Sequence, residues 1–446
     1  MNPNHQTFPP VSGAVNILSI TAQKPHSTGS GVYLTEIVQA LHRQGCRQAV
    51  LAGICREDSV SFPEDVVFYP VYYQSDQIPF PICGMSDEMP YESTRYQDLT
   101  PTMTAQFLNS FGKVLKQALN EFRPDLIICH HLYLLTALAR EITPAESTQN
   151  TNKPRIVGIC HGSDLRQFKK NPMNRDYIRS QIRCLDTIWC LHREQGQEII
   201  RLFGCSPEKV KILGTGYNSL IFKKISPLLA EHKIANSEQS PSPGRIRLIF
   251  AGKLSEKKGV KSLLRSLRLL PPDLAERLSL TLAGGWGNLQ EFQEIKQLAD
   301  PEQGCPCAVE FPGRLSQTEL AQQMNQSDLF ILPSFYEGLP LVLIEALACG
   351  LRPICTDLPG IRPWMDENVP GHGIIFVAPP DMEHEDEPVA SSLPAFEAKL
   401  AEAIIQAADC MSCMSSPVSR QERLDNSLQQ LSWDGLCKRL LEDIER

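Results

Sequence analysis

The sequence lacks the features that would take it across a membrane or onto nucleic acid. No apolar run approaches the roughly 20 residues that span a bilayer. The first residues have neither the basic nor the apolar region of a signal peptide. The formal net charge of −8 is the opposite of the concentrated basic excess of a general nucleic-acid binder. We therefore expect a cytoplasmic protein with no nucleic-acid partner.

Paired cysteines at metal-binding spacing are also missing. Cys305 with Cys307 and Cys410 with Cys413 each stand without a second ligand pair, so we expect no metal site. Other cysteines lie inside apolar runs, where we expect small buried hydrophobic residues in a reducing compartment. These are Cys129, Cys160, Cys190 and Cys355.

Short β-branched strands alternate with amphipathic helices, which is typical of parallel βαβ units. The first half has candidate strands at 15–20, 49–52, 126–129, 156–159, 187–190 and 210–213. The second half has candidate strands at 246–251, 278–283, 309–311, 329–332 and 374–377. One helix, 107–122, carries an apolar stripe. This stripe is expected to pack on a sheet, the alternative being a surface that faces a membrane.

The length of 446 residues favours two domains over one core. A polar stretch rich in Ser and Pro predicts a linker at 229–244, between an N-terminal domain at 1–228 and a C-terminal domain at 245–430. The last helix, 431–446, has an apolar face that can pack back on the first domain. We expect an α/β protein of two doubly wound, Rossmann-like domains facing a cleft, with ligands at the carboxyl ends of the strands. The acidic segment 379–392 is predicted to be a solvated loop without chemistry.

The strongest motif, SFYEGLPLVLIEALACG at 334–350, directly follows a predicted strand. Pro340 suits the first residue of a helix and Gly350 suits its end. The backbone N–H groups from Gly338 through Leu339 to Leu341 would then face an anion such as a diphosphate.

Two carboxylates flank this predicted anion site. Glu337 lies in the loop, and Glu345 lies about 7.5 Å further along the helix axis. One can hold sugar hydroxyls and the other ribose hydroxyls. The alternative is a helix-dipole partner for Glu337 and a merely polar position for Glu345. Because Glu345 stands in an apolar run, where an unpartnered carboxylate is costly, we favour the functional interpretation.

This segment resembles the Glu-x7-Glu motif of the retaining glycosyltransferases of GT-B fold that include sucrose synthases and mannosyltransferases. The resemblance extends over most of the chain and is strongest at 246–360. It implies that Glu337 contacts the transferred sugar and Glu345 the ribose of a nucleotide diphosphate sugar.

A second cluster, AGKLSEKKGV at 251–260, follows a strand and opens a helix. Its cations can converge on an anion, although a solvated basic turn is the alternative. The family usually has Gly-Arg at the start and Lys-Gly at the end, which implies that Lys253 and Lys258 grip the diphosphate beside Gly252. Lys253 stands where the family usually has arginine. A lysine keeps the positive charge but cannot make the bidentate contact of a guanidinium group.

The resemblance also covers weaker motifs at other strand ends. His161, in CHGSD, matches a family histidine that points at the donor sugar, while Asp164 is expected to cap the next helix. The glycine-rich turn with Gly29, Ser30 and Gly31 would lie against the phosphates or the acceptor. Two further donor-binding residues are expected at the nucleotide, namely Gly284 and Phe311.

Because the sequence has no Asp-x-Asp pair, the usual Mg²⁺–diphosphate clamp of the other main transferase fold, we expect metal-independent transfer of a hexosyl group and no cofactor. Lys253, Lys258 and helix amides would meet the leaving-group charge. The alternatives are another GT-B enzyme, such as a nucleotide-sugar epimerase or a phosphorylase, or a non-catalytic nucleotide-sugar-binding scaffold.

The stretch 165–183 is strongly basic. Its residues Lys169, Lys170 and Arg175 are candidates for docking an anionic sugar or a lipid-linked acceptor, with peripheral association at a membrane. A solvated helical face is the alternative.

Overall fold

The computed structural model describes residues 15–87, 89–143, 153–225, 244–384, 386–413 and 418–445. These residues form two compact units. The first runs to Thr215 and also includes the C-terminal segment from Trp433, whereas the second spans Gly216–Ser432. The chain therefore leaves the first unit ahead of the boundary predicted at 228. The predicted linker 229–244 lies, apart from residue 244, outside the described residues.

The first unit is built on a seven-stranded parallel sheet. Its strands are β1 Asn16–Thr21, β2 Arg47–Ile54, β3 Val67–Tyr72, β6 Leu126–His130, β7 Arg155–Ile159, β8 Thr187–Cys190 and β9 Val210–Ile212. They lie in the order β3-β2-β1-β6-β7-β8-β9. A small parallel pair, β4 Ile82–Gly84 and β5 Ser93–Arg95, lies outside it. The helices are α1 Gly29–Arg43, α2 Pro101–Phe122, α3 Leu134–Ile142, α4 Ser163–Lys170, α5 Arg175–Ile182 and α6 Arg193–Phe203.

The residues at the start of helix α2 determine where the helix begins. The side chain of Thr100 accepts a hydrogen bond from the N–H of Met103, and Pro101 occupies the first turn, where its missing N–H costs nothing. The face carrying Phe107 and Phe111 is fully buried in the core of the unit. The prediction that this stripe packs on the sheet is confirmed.

The second unit contains a six-stranded parallel sheet. Its strands are β10 Ile246–Ala251, β11 Leu278–Ala283, β12 Ala308–Gly313, β13 Leu329–Leu332, β14 Arg352–Thr356 and β15 Ile375–Val377. They lie in the order β12-β11-β10-β13-β14-β15. A hairpin follows, formed by β16 Met382–His384 and β17 Glu387–Pro388. The helices are α7 Val260–Leu267, α8 Pro272–Ala275, α9 Leu289–Leu298, α10 Gln317–Asn325, α11 Leu341–Ala348, α12 Ile361–Asn368, α13 Leu393–Cys413 and α14 Val418–Gln430.

Each sheet therefore has the strand order of a doubly wound Rossmann sheet, and the prediction of two Rossmann-like domains is confirmed. In both sheets, the strand order reverses direction at the first strand of the unit. This places a switch point between β1 and β6 in the first unit and between β10 and β13 in the second. Ligands bind in the crevice outside the carboxyl ends of the strands at such a point.

The last helix, α15 Trp433–Glu445, belongs to the first unit. The rings of Trp433 and Tyr33 meet edge to face with centroids 4.9 Å apart. Arg43 at the end of α1 donates to Asp434 at 2.9 Å. Among the residues described, no helix combines the length and the apolar character that a bilayer crossing requires.

Candidate active site

Glu337 is held at the switch point of the second unit by two hydrogen bonds. Its Oε1 accepts from the Nζ of Lys258 at 2.7 Å and from the hydroxyl of Ser334, also at 2.7 Å. The carboxylate side chain is only 15% exposed. The structure thus brings together two residues that lie 79 positions apart in the sequence, one after β13 and the other after β10.

Close backbone packing makes this contact possible. Lys258 ends a 3₁₀ turn, and Gly259 follows it in the left-handed region with φ of 69°. A Cβ atom at Gly259 would come within 2.0 Å of the carbonyl oxygen of Pro333. The N–H of Phe335 donates to the carbonyl of Lys257 at 3.0 Å. Only glycine lets the turn lie so close to the 333–337 loop.

Glu345 lies on α11, the helix that follows the loop, and is 8% exposed. The helix begins at Leu341, so Pro340 is the residue before it and not its first residue as predicted. Pro340 has extended backbone, with ψ of 113°. Leu339 is buried ahead of the helix, while Gly338 is partly exposed. Both glutamates therefore belong to one strand–loop–helix segment of this unit.

Gly252 and Gly284 meet at the carboxyl ends of β10 and β11. A Cβ atom at Gly284 would lie 1.7 Å from the carbonyl oxygen of Gly252, so only glycine fits there. Lys253 follows and is partly exposed. Phe311 lies within β12, near its carboxyl end at Gly313, and is half-buried. The donor-binding candidates of the second unit thus lie at or near the ends of four adjacent strands.

The segment 379–392 departs from the prediction of a solvated loop. It contains the β16–β17 hairpin, and Asp386 between the two strands is buried. The carboxylate of Asp386 accepts from the Nζ of Lys257 at 2.9 Å. An acidic, breaker-rich composition does not show which carboxylate finds a distant cation, so the sequence could not single out Asp386.

In the first unit, the glycine-rich turn opens α1 at the end of β1. The hydroxyl of Thr28 accepts from the N–H of Gly31 at 3.1 Å, and Gly29 is the first residue of the helix. A Cβ atom at Gly31 would lie 2.8 Å from the carbonyl oxygen of Lys24. Ser30 Oγ lies 3.1 Å from Nε2 of His131.

His161 lies in a cluster of three histidines. Its Nε2 is 3.2 Å from Nδ1 of His130, and the two rings stack with an interplanar angle of 12°. The ring of His131 is tilted against that of His161. His130 and His131 were not among the site residues predicted from the sequence. The available signal was two consecutive histidines at the end of a predicted strand, beside the switch point.

Asp164 does not cap the following helix from the N-cap position, which Gly162 occupies. It lies in the first turn, fully buried, and its carboxylate accepts from the N–H of Leu132 at 2.7 Å and from that of His161 at 3.2 Å. Asp164 therefore joins the loops after β6 and β7, which carry the histidine cluster.

Two family models match the chain. Residues 233–408 match the model described as Glycosyl transferases group 1, and residues 27–219 match Glycosyltransferase Family 4. The two ranges include every candidate site residue described above. Each half of the chain thus matches a glycosyltransferase family model.

Relatives of this chain are found among curated proteins. The amylovoran biosynthesis glycosyltransferase AmsK of Erwinia amylovora is 26% identical over 263 residues, covering 56% of this chain and 57% of AmsK. A D-inositol 3-phosphate glycosyltransferase of Pseudarthrobacter chlorophenolicus is 28% identical over 170 residues, covering 37% of this chain and 38% of that protein. The chain thus spans between 38% and 57% of the length of these relatives.

Solved structures establish the fold of this chain. HepE of Anabaena, determined in complex with UDP and glucose, superposes with a TM-score of 0.65 over 96% of this chain and 99% of that one, at 15% identity. At this identity the likeness shows the fold alone. It is the GT-B fold of two Rossmann-like domains, as the Glu-x7-Glu resemblance implied.

The basic stretch 165–183 is divided between α4 and α5, and its cations contact neighbouring groups. Lys169 pairs with Glu198 at 2.8 Å, and Lys170 lies 3.7 Å from Asp87. Arg175 donates to the carbonyl of Lys169 at 2.7 Å. The stretch is therefore not the plain solvated face of one helix.

We expect the histidine cluster to make the first unit sensitive to acid. Burial lowers the pKa of His161 to about 3 and holds those of His130 and His131 well below the ordinary imidazole value. In the unfolded chain these rings take up protons as the pH falls through about 6.5, whereas the folded chain does not. The free energy of unfolding should therefore fall below pH 6.5, by at most about 1.4 kcal/mol per pH unit for each histidine.

Thermal unfolding followed between pH 7.5 and pH 5 measures this dependence. We expect the melting temperature to drop across the range and the slope to become shallower in a His130→Leu variant. Equal slopes for the two proteins would contradict the assignment of the acid sensitivity to this cluster.

Proposed function

We propose that this chain is a retaining hexosyltransferase that moves a sugar from a nucleoside diphosphate donor to a hydroxyl acceptor without a metal ion. The observation that carries the proposal is the contact between Glu337 and Lys258 at the switch point of the second sheet. It places a carboxylate suited to sugar hydroxyls directly beside a cation suited to phosphate.

The same arrangement supports the proposed roles in the donor site. A lysine ammonium has three N–H donors, so Lys258 can hold Glu337 and still donate to a phosphate oxygen. Lys253 adds a second cation at the end of the same strand. Glu345, further along α11, is suited to accept from the ribose hydroxyls.

For the reaction we propose front-face displacement with an oxocarbenium-like transition state. The bond from the anomeric carbon to the phosphate oxygen breaks while the acceptor oxygen bonds to the same face of that carbon. The acceptor proton passes to the departing phosphate oxygen. Lys253 and Lys258 stabilise the charge that develops on the phosphate, which is electrostatic catalysis by preorganised groups.

In the first unit we propose that His161 hydrogen-bonds the donor sugar. Burial lowers its pKa to about 3, so the ring acts as a neutral hydrogen-bond partner and not as a cation. The N–H groups of the turn from Gly29 to Gly31 are suited to an anionic or hydroxyl group close to the backbone.

For the acceptor we propose an anionic sugar or a lipid-linked phosphate held near Lys169, Lys170 and Arg175. Lys170 lies 3.7 Å from Asp87, so a more strongly charged anion on the acceptor can compete with Asp87 for the Lys170 ammonium. With a lipid-linked acceptor, peripheral membrane association would be salt-sensitive, because each basic residue near an anionic surface contributes about 1 kcal/mol.

Donor turnover in the presence of EDTA tests the proposed function. The purified chain is incubated with UDP-, GDP- and ADP-hexoses, and release of the nucleoside diphosphate is followed. We expect release from at least one donor, at a rate that added Mg²⁺ leaves largely unchanged. Binding without release would indicate a scaffold, and activity that returns only with Mg²⁺ would contradict the metal-free mechanism.

A further inference from the structure

Trp286 stands out among the tryptophans of this chain. All four lie in the described part; Trp286 is 45% exposed, whereas Trp189, Trp364 and Trp433 are at most 5% exposed. A single exposed aromatic residue is common on protein surfaces. Its orientation and location are what assign it a role.

The indole ring is held flat against a second aromatic ring. Trp286 stacks on Phe292 with centroids 4.0 Å apart and an interplanar angle of 1°. Phe292 is buried and meets Phe311 edge to face at 5.9 Å. Since Phe292 covers one face of Trp286, the exposed area lies on the opposite face and the ring edges. The result is a rigid aromatic platform with one open face.

The backbone around Trp286 is tied to the turn that carries Lys258. The carbonyl of Gly285 accepts from the N–H of Leu254 at 2.8 Å. The side chain of Asn288 caps α9 by accepting from the N–H of Glu291, whose carboxylate in turn accepts from the N–H of Glu256 at 2.6 Å. The platform is therefore fixed relative to the two lysines.

The strand order places the platform on one side of the cations and the glutamates on the other. Strand β10, which leads to Lys253 and Lys258, lies between β11 and β13. Glu337 and Glu345 follow β13, and Trp286 follows β11. Neighbouring strands are about 4.8 Å apart, so the two outer strand ends are separated by about 10 Å. A nucleoside diphosphate can bridge such a span.

We propose that the open face of Trp286 stacks on the nucleobase of the donor. The inference rests on the proposed function and adds to it a base-binding residue. Every nucleobase has an aromatic face, and stacking tolerates different bases. The platform therefore favours a nucleoside diphosphate over bare pyrophosphate and does not choose among UDP, GDP and ADP.

The exposure pattern supplies a direct test, because iodide should quench mainly the fluorescence of Trp286. Saturation with UDP, GDP or ADP should protect this fluorescence from iodide, and inorganic pyrophosphate should not. Trp286→Leu keeps an apolar cover on Phe292 but has no aromatic face. We expect it to bind the preferred nucleoside diphosphate about 5- to 150-fold more weakly, whereas Trp286→Phe retains most of the affinity.

The outcomes separate this inference from the proposed function. The stacking would be overturned if saturation left iodide access to Trp286 unchanged and Trp286→Leu bound the nucleotide with wild-type affinity. The proposed donor site would still stand in that case if Glu345→Ala weakened binding. If none of the three nucleoside diphosphates bound the unmodified chain, the proposed donor site itself would fail, and the inference with it.

Discussion

Replacing Glu345 with alanine should weaken binding of a nucleoside diphosphate by about 10- to 150-fold, the effect of losing one hydrogen bond to a charged group. The proposed partners are the ribose hydroxyls, so the loss should be similar for the bare nucleotide and for the nucleotide sugar. Titration calorimetry with UDP, GDP and ADP measures it. The variant should remain folded, since alanine is a good helix former in α11.

Glu397 provides a matched control for this variant. It is a glutamate of the same unit with the same 8% exposure, and its carboxylate accepts from Ser262 and Arg265 on α7. Glu397→Gln should leave nucleotide binding unchanged. Wild-type affinity in a folded Glu345→Ala protein would remove Glu345 from the ribose site.

Replacing Glu337 with glutamine should lower turnover by roughly 100-fold, the order of magnitude for losing one preorganised electrostatic contact. Glutamine keeps the size of the side chain but removes the charge that faces Lys258 at 2.7 Å and the sugar hydroxyls. Binding of the bare nucleoside diphosphate should change little, because the proposed partner of Glu337 is the sugar. Initial rates at saturating donor, compared with calorimetry of the nucleotide, separate these effects.

A Ser334→Ala variant serves as the comparison for Glu337→Gln. It removes the other hydrogen bond to the Glu337 carboxylate, at 2.7 Å, and leaves the charge in place. We expect a smaller loss of turnover than in Glu337→Gln. Equal losses of affinity for nucleotide and nucleotide sugar in Glu337→Gln would count against a sugar contact.

Most of the fold could be predicted because hydrophobic periodicity is a local signal. Every predicted strand is present, with its ends shifted by at most two residues. Two strands of the main sheets, β3 and β14, were not predicted, and both contain a proline, Pro70 and Pro353. The short strands of the β4–β5 and β16–β17 pairs were not predicted either. Proline lowers the strand signal because it cannot donate to the ladder. In β3 the proline is tolerated at the edge of the sheet.

The site residues that could be predicted from the sequence are those that follow neighbouring strands of the sheet. Glu337 and Lys258 could be placed together because the carboxyl ends of parallel strands share one edge. The contact of Asp386 with Lys257 depends on a hairpin 129 residues away, and no local pattern specifies such a pairing. The stacking of Trp286 on Phe292 likewise depends on side-chain packing that spacing alone does not give.

The configuration of the sugar first released from the donor tests the central claim most directly. A nucleoside diphosphate α-hexose is incubated with the chain in EDTA, with water as the acceptor, and the anomeric proton of the new sugar is followed by NMR before mutarotation. We predict that the α-anomer appears first, together with one nucleoside diphosphate per sugar. First appearance of the β-anomer would contradict retention, and the absence of any released sugar would contradict the assignment of a transferase.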